Sequence, residues 1–191
     1  MTPTIEAANG PRAGGRSGTA LLAAAGVTLL MLRLLILGSA SAGMQLAGIY
    51  LMLRIVSVAA PIATNEQHAL GAPVVVAIGL VALAVASLVT GPRVPLAHGP
   101  EALALSSLAA VSEEAFFRRF LYGRLVRYGP LAAIGISALL FAVVHVPAYG
   151  VAVFLVDLGA GLLLAWQRWA SGGWAAPAAT HVAANILAVI R

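Results

Sequence analysis

The sequence contains no cysteine and no lysine. Without cysteine there are no disulfides, no thiol catalysis and no Cys-ligated zinc. Acids are scarce as well: six Asp and Glu in 191 residues, against eleven basic residues that are all arginine, for a net charge of +5. Charged residues make up only 9% of the chain and hydrophobic ones 61%. Mean hydropathy is +0.99. A soluble domain of this length needs far more polar surface. The composition therefore points to an all-α, polytopic membrane helix bundle, with about seven transmembrane helices in a range of six to eight. A nucleic-acid partner is set aside, because the arginines sit at helix ends rather than on a basic face. They read as loop charges that set orientation. An arginine-only basic set with abundant Ala and Gly suggests a GC-rich genome, hence a bacterium and a multi-pass protein of its inner (plasma) membrane.

Three regions follow in chain order. Residues 1–18 are polar and rich in Gly, Pro and Ala, and read as a disordered tail. Residues 19–72 hold two accessory spans, Thr19 to about Leu37 and Met44 to about Ile62. Arg33 and Arg54 interrupt them and read as structural. A polar loop with His68 closes this part. Residues 73–191 form the remaining membrane domain. Its third span runs from Val74 to about Thr90 and breaks at Gly91-Pro92, with His98 in the loop beyond. The fourth helix starts near Pro100-Glu101 and ends near Tyr128. Gly129-Pro130 signals a turn. The fifth span runs to about Val146 and stops at Pro147, the sixth from Tyr149 to about Trp169, and the seventh from Trp174 to Ile190.

What is present inside this apolar chain is a small polar set. A charged side chain in a membrane helix costs roughly 2.5–3.5 kcal/mol, so it marks function by default. Glu113 and Glu114 are adjacent on the fourth helix, with Arg118 four residues on. Glu114 and Arg118 share a face. Glu113 points about 100° away. The two acids can then do different jobs: Glu114 paired with Arg118, and Glu113 facing a cavity as a base for water. Folding helices four and five about Gly129 places Glu113, sixteen residues before it, level with His145, sixteen after it. Both lie about 24 Å from the turn. Phe141 shares the face of His145 and can wall the site. His181 and Asn185 share a face and are both donors, suited to a developing oxyanion. Spacing alone does not say whether helix seven reaches helices four and five. Asp157 reads as a helix-contact or cavity residue outside the active set. No His-Glu-x-x-His is present. Asp157 has no second aspartate to form a dyad, and Ser137 has no paired base nearby.

Taken in order, Glu113-Glu114-x-x-x-Arg118, Phe141-x-x-x-His145 and His181-x-x-x-Asn185 resemble the three motifs of the CPBP family of intramembrane glutamic proteases, which includes CAAX prenyl protease 2 and the Abi bacteriocin-immunity proteins. The resemblance covers about Val74 to Arg191. It implies a glutamate-dependent intramembrane endopeptidase acting on a membrane-associated protein or peptide. Glu113 would activate water with His145, His181 and Asn185 would hold the oxyanion, and Glu114 and Arg118 would support the site. It implies no metal or other cofactor. A zinc held by the histidines and a glutamate is the alternative, disfavoured because Asn185 is a poor zinc ligand and a good hydrogen-bond donor. The rival function is a non-enzymatic membrane protein that binds a peptide, or confers immunity, through the same cavity. A transporter or proton relay is a weaker third reading, since the repeated halves common in transporters are missing. Neither the substrate nor the oligomeric state is fixed by sequence.

Overall fold

The computed structural model describes residues 14–36, 42–59, 70–90 and 99–190. The expected tail up to residue 13, the loop with His68 and the break carrying His98 lie outside the described residues. Seven helical rods and no strand are found among the described residues, as the composition predicts. Helix α1 is Gly14–Ile36, α2 is Ala42–Ala59 and α3 is Ala72–Thr90. Helix α4 is continuous but changes pitch: an α-helix Pro100–Glu114, a π-helix Ala115–Leu121, a turn of α-helix Tyr122–Leu125 and a 3-10 turn Val126–Tyr128. Helix α5 is Pro130–Tyr149, α6 begins as a 3-10 turn at Val151 and runs to Ser171, and α7 is Ala175–Ile190. Four of these are long and apolar enough to cross a membrane: Gly18–Ile36, Ala42–Ala59, Pro130–Tyr149 and Val151–Ser171. The protein is an integral membrane helix bundle.

Local signals explain most boundaries. Pro100 and Pro130 each occupy the first turn, where a missing N–H costs nothing. Gly129 has φ +101°, a conformation side chains disfavour, and turns α4 into α5. Two boundaries differ from expectation. Helix α1 starts at Gly14, inside the stretch read as tail. Helix α5 does not stop at Pro147 but carries it in its last turn and ends at Gly150, whose N–H reaches the Val146 carbonyl. A proline so near the C-terminus disrupts little, because few bonds remain to be lost.

Helix α4 is the centre of the bundle. Helix α2 lies along one side of it and α7 along another, while α5 and α6 form a close antiparallel pair. That pair can approach because Gly161 sits against Ala138; an added Cβ would meet the Ala138 carbonyl at 3.0 Å. The larger apolar cluster joins Leu30, Leu53, Phe116, Phe117, Phe120, Phe141 and Val144. It draws on α1, α2, α4 and α5, so the N-terminal helices share one core with the rest. The wider π turn of α4 lets Ala115, Phe116, Phe117 and Arg118 all be buried in succession. A polar seam ties the opposite side: Gln167 Nε2 donates to the Val75 carbonyl at 2.8 Å and to Thr180 Oγ1 at 2.9 Å.

Arg118, Arg119 and Arg168 are not loop charges. Arg118 is buried, and its Nη2 donates to the Gly161 carbonyl at 3.1 Å. Arg168 is buried too, with Nε donating to the Arg118 carbonyl at 3.2 Å and the guanidinium 5.1 Å over the Tyr122 ring. Arg119 donates to the Ser57 carbonyl of α2. These groups join helices, so they do not serve simply as markers of membrane orientation.

Candidate active site

The antiparallel α4–α5 arrangement brings Glu113 and His145 together. Glu113 Oε2 lies 3.7 Å from His145 Nε2. Both residues are buried, Glu113 at 4% and His145 at 8% exposure. His145 Nδ1 is 2.7 Å from the Phe141 carbonyl. A carbonyl can only accept, so Nδ1 carries the proton there, and in the neutral ring Nε2 presents its lone pair toward Glu113. The local i,i+4 bond to Phe141 thus fixes ring orientation and tautomer together.

Glu114 faces elsewhere, as the 100° offset requires. Its Oε1 accepts from Arg118 Nη1 at 2.9 Å and sits 3.0 Å from His181 Nδ1. Glu114 and Arg118 are both fully buried. Helix α7 therefore does reach α4, the point spacing left open. His181 is bound to Glu114 by one ring nitrogen, and its other nitrogen remains for further contacts. Asn185 Nδ2 donates to the Ser106 carbonyl on α4 at 2.9 Å. That uses one of its two amide hydrogens. His181 and Asn185 are both docked on α4, one on a side chain and one on a carbonyl.

Phe141 stands where the two halves meet. Its ring centroid is 4.6 Å from that of His145 and 5.8 Å from that of His181. The Arg118 guanidinium lies 4.5 Å over its face. Tyr149 stacks on the outer side of His145 at 5.9 Å. Asp157, partly exposed at the start of α6, lies within electrostatic reach of Glu113, His145 and His181.

One participant was missed by sequence reasoning. Arg33, in the last turn of α1, is buried at 2% exposure. Its Nη1 donates to Glu113 Oε1 at 2.7 Å and its Nη2 to the Val144 carbonyl at 3.3 Å. The one available signal was an arginine interrupting an apolar helix. That signal names no partner, and Glu113 is eighty residues away.

Among the described residues no group of three His, Asp or Glu side chains is arranged to hold a metal ion. One oxygen of each carboxylate is engaged: Glu113 Oε1 with Arg33, and Glu114 Oε1 with Arg118 and His181.

Fold and site together define an integral membrane protein with an acid–imidazole centre buried among its helices. Residues 95–187 match the family described as type II CAAX prenyl endopeptidase Rce1-like, a finding consistent with the CPBP family. The matched segment is just under half of the 191-residue chain and contains every motif residue from Glu113 to Asn185. Helix α1 and Arg33 lie outside it. No curated protein and no solved structure matches the chain.

Proposed function

We propose that this protein is an intramembrane endopeptidase that hydrolyses a peptide bond in a membrane-associated protein or peptide. The family match supports an endopeptidase. The observation that carries the chemistry is the buried Glu113 Oε2 facing His145 Nε2 at 3.7 Å. A water between these atoms can donate one proton to each, leaving its own lone pair turned toward a substrate carbonyl. Glu113 takes a proton as the water oxygen bonds to the carbonyl carbon, giving a tetrahedral oxyanion. The proton then passes to the departing amine as the C–N bond breaks. His181, whose Nδ1–H Glu114 accepts, offers Nε2–H to the oxyanion when its ring is protonated, and Asn185 offers its second amide hydrogen. Glu114 and Arg118 position His181 and are not consumed in any step. Phe141 packs between the halves and keeps them in register.

The reaction needs no metal in this scheme. The setting is a bacterial inner membrane, which the chain crosses several times, and the partner is a substrate presented within or at the bilayer. The test is cleavage of a quenched fluorescent membrane-peptide library by wild type, Glu113→Ala and His145→Ala, each with and without a chelator. Loss in both variants and indifference to chelator is the expected result. Full activity of Glu113→Ala would sink the mechanism, and chelator-sensitive turnover would restore zinc. Binding of peptides by wild type and both variants, with turnover in none, would favour a peptide-binding protein instead.

A further inference from the structure

We propose that Arg33 is a positioning residue for Glu113, which makes α1 part of the catalytic unit although it lies outside the segment that matches the family. The inference rests on reading Glu113 as the base. The guanidinium touches both helices that carry the acid–imidazole pair: Glu113 Oε1 on α4 and, beside His145, the Val144 carbonyl on α5. It occupies one carboxylate oxygen, and Oε2 is the oxygen left to face His145 Nε2. A carboxylate that is free to turn about its last torsion has no such preference, because that torsion is broad. The planar fork of arginine holds two acceptors in one fixed geometry, whereas an ammonium presents rotatable donors on a flexible stem.

The simpler account is that the ion pair only anchors α1. Two observations and one general argument weigh against it. Helix α1 already packs along α2 and puts Leu30 into the main core. It meets α5 only lightly, and an open apolar groove of about 520 Å³, bordered by Val27, Met31, Val143 and Pro147, runs between the two helices. Arg33 reaches across that otherwise loose contact. Finally, a buried ion pair is a poor anchor, since well-packed apolar residues often do as well or better. An arginine that is buried here, on the carboxylate whose second oxygen faces His145 Nε2, is explained by what it does to that carboxylate.

Two readouts test the role in the full-length protein. The first needs no substrate. Dicyclohexylcarbodiimide reacts with an uncharged carboxyl in an apolar setting, which the ion pair with Arg33 withholds. Mass mapping at neutral pH is expected to find Glu113 unlabelled in wild type, labelled at least about tenfold faster in Arg33→Met, and intermediate in Arg33→Lys. Glu114, held by Arg118 and His181, serves as the internal control. Equal labelling of Glu113 in wild type and Arg33→Met overturns the proposal. The second readout is turnover of a peptide that wild type cleaves. Arg33→Met is expected to lose about 100-fold in kcat with KM little changed, the scale of a misplaced catalytic group, and Arg33→Lys to recover part of that loss. If Arg33→Met does not fold, Arg33→Lys decides, because it keeps the charge: wild-type kcat and wild-type labelling together overturn the proposal. Full activity of Arg33→Met beside a dead Glu113→Gln refutes the inference and leaves the base intact. An active Glu113→Gln refutes the base itself, and the labelling result still reports on the ion pair.

Discussion

Glu113 and Glu114 are neighbours in sequence and live in different environments. Both are buried, and both accept from an arginine at under 3 Å. The Glu114 face takes its arginine from its own helix, Arg118 at i,i+4, while His181 of α7 packs onto the same oxygen. The Glu113 face is assembled from afar. Its arginine comes from α1 and its histidine from α5, and one carboxylate oxygen is left at 3.7 Å from a ring nitrogen. A distance that is too long for a direct hydrogen bond, between two groups that both accept, suits a water. One face holds the helices in place and the other is poised for chemistry. A single 100° step along α4 separates the two jobs.

The difference can be broken most sharply at Glu113. Glu113→Gln keeps size and an acceptor for Arg33 but removes the base. Turnover should fall by roughly 10³- to 10⁴-fold, far more than the stability lost by leaving buried Arg33 without its counter-charge explains. At Glu114 the dominant effect should be on the fold. Glu114→Ala leaves the fully buried Arg118 without its counter-charge, and stability measured by denaturation should drop by about 3–5 kcal/mol. Phe141→Leu should blur the two faces, because its ring contacts His145, His181 and Arg118 together. A loss of about 2 kcal/mol of stability, from packing and the cation–π contact, should come with reduced turnover. The smallest stability change is expected at Asn185→Ala, about 1 kcal/mol for its bond to the Ser106 carbonyl. There the loss of kcat should exceed what the stability change explains, if the second amide hydrogen serves the oxyanion.

Much of the site was legible because its spacings are local or mirrored about a turn. The Glu114–Arg118 and Phe141–His145 relations follow from 3.6 residues per turn. The meeting of Glu113 with His145 follows from equal distances on either side of Gly129. Three features were not legible. Arg33 pairs with Glu113 through tertiary packing of α1, and no periodicity links residues so far apart. The π-helix at Ala115–Leu121 has no simple residue code; it answers to the packing of Phe116, Phe117 and Phe120. The docking of His181 on Glu114 depends on how α7 approaches α4, which spacing within α7 does not state. The fold class came from composition alone, because an apolar chain of this kind satisfies its backbone most readily as helices. The boundary at Pro147 was misplaced since proline signals a stop without saying how many residues of the last turn follow it.

The most direct test sets the two glutamates side by side: Glu113→Gln and Glu114→Gln, assayed for turnover of one cleaved membrane peptide and for thermal stability in the same detergent. The account predicts that Glu113→Gln is folded and inactive, and that Glu114→Gln is destabilised and keeps a reduced turnover, because His181 loses the carboxylate that positions it. A folded, fully active Glu113→Gln would contradict it.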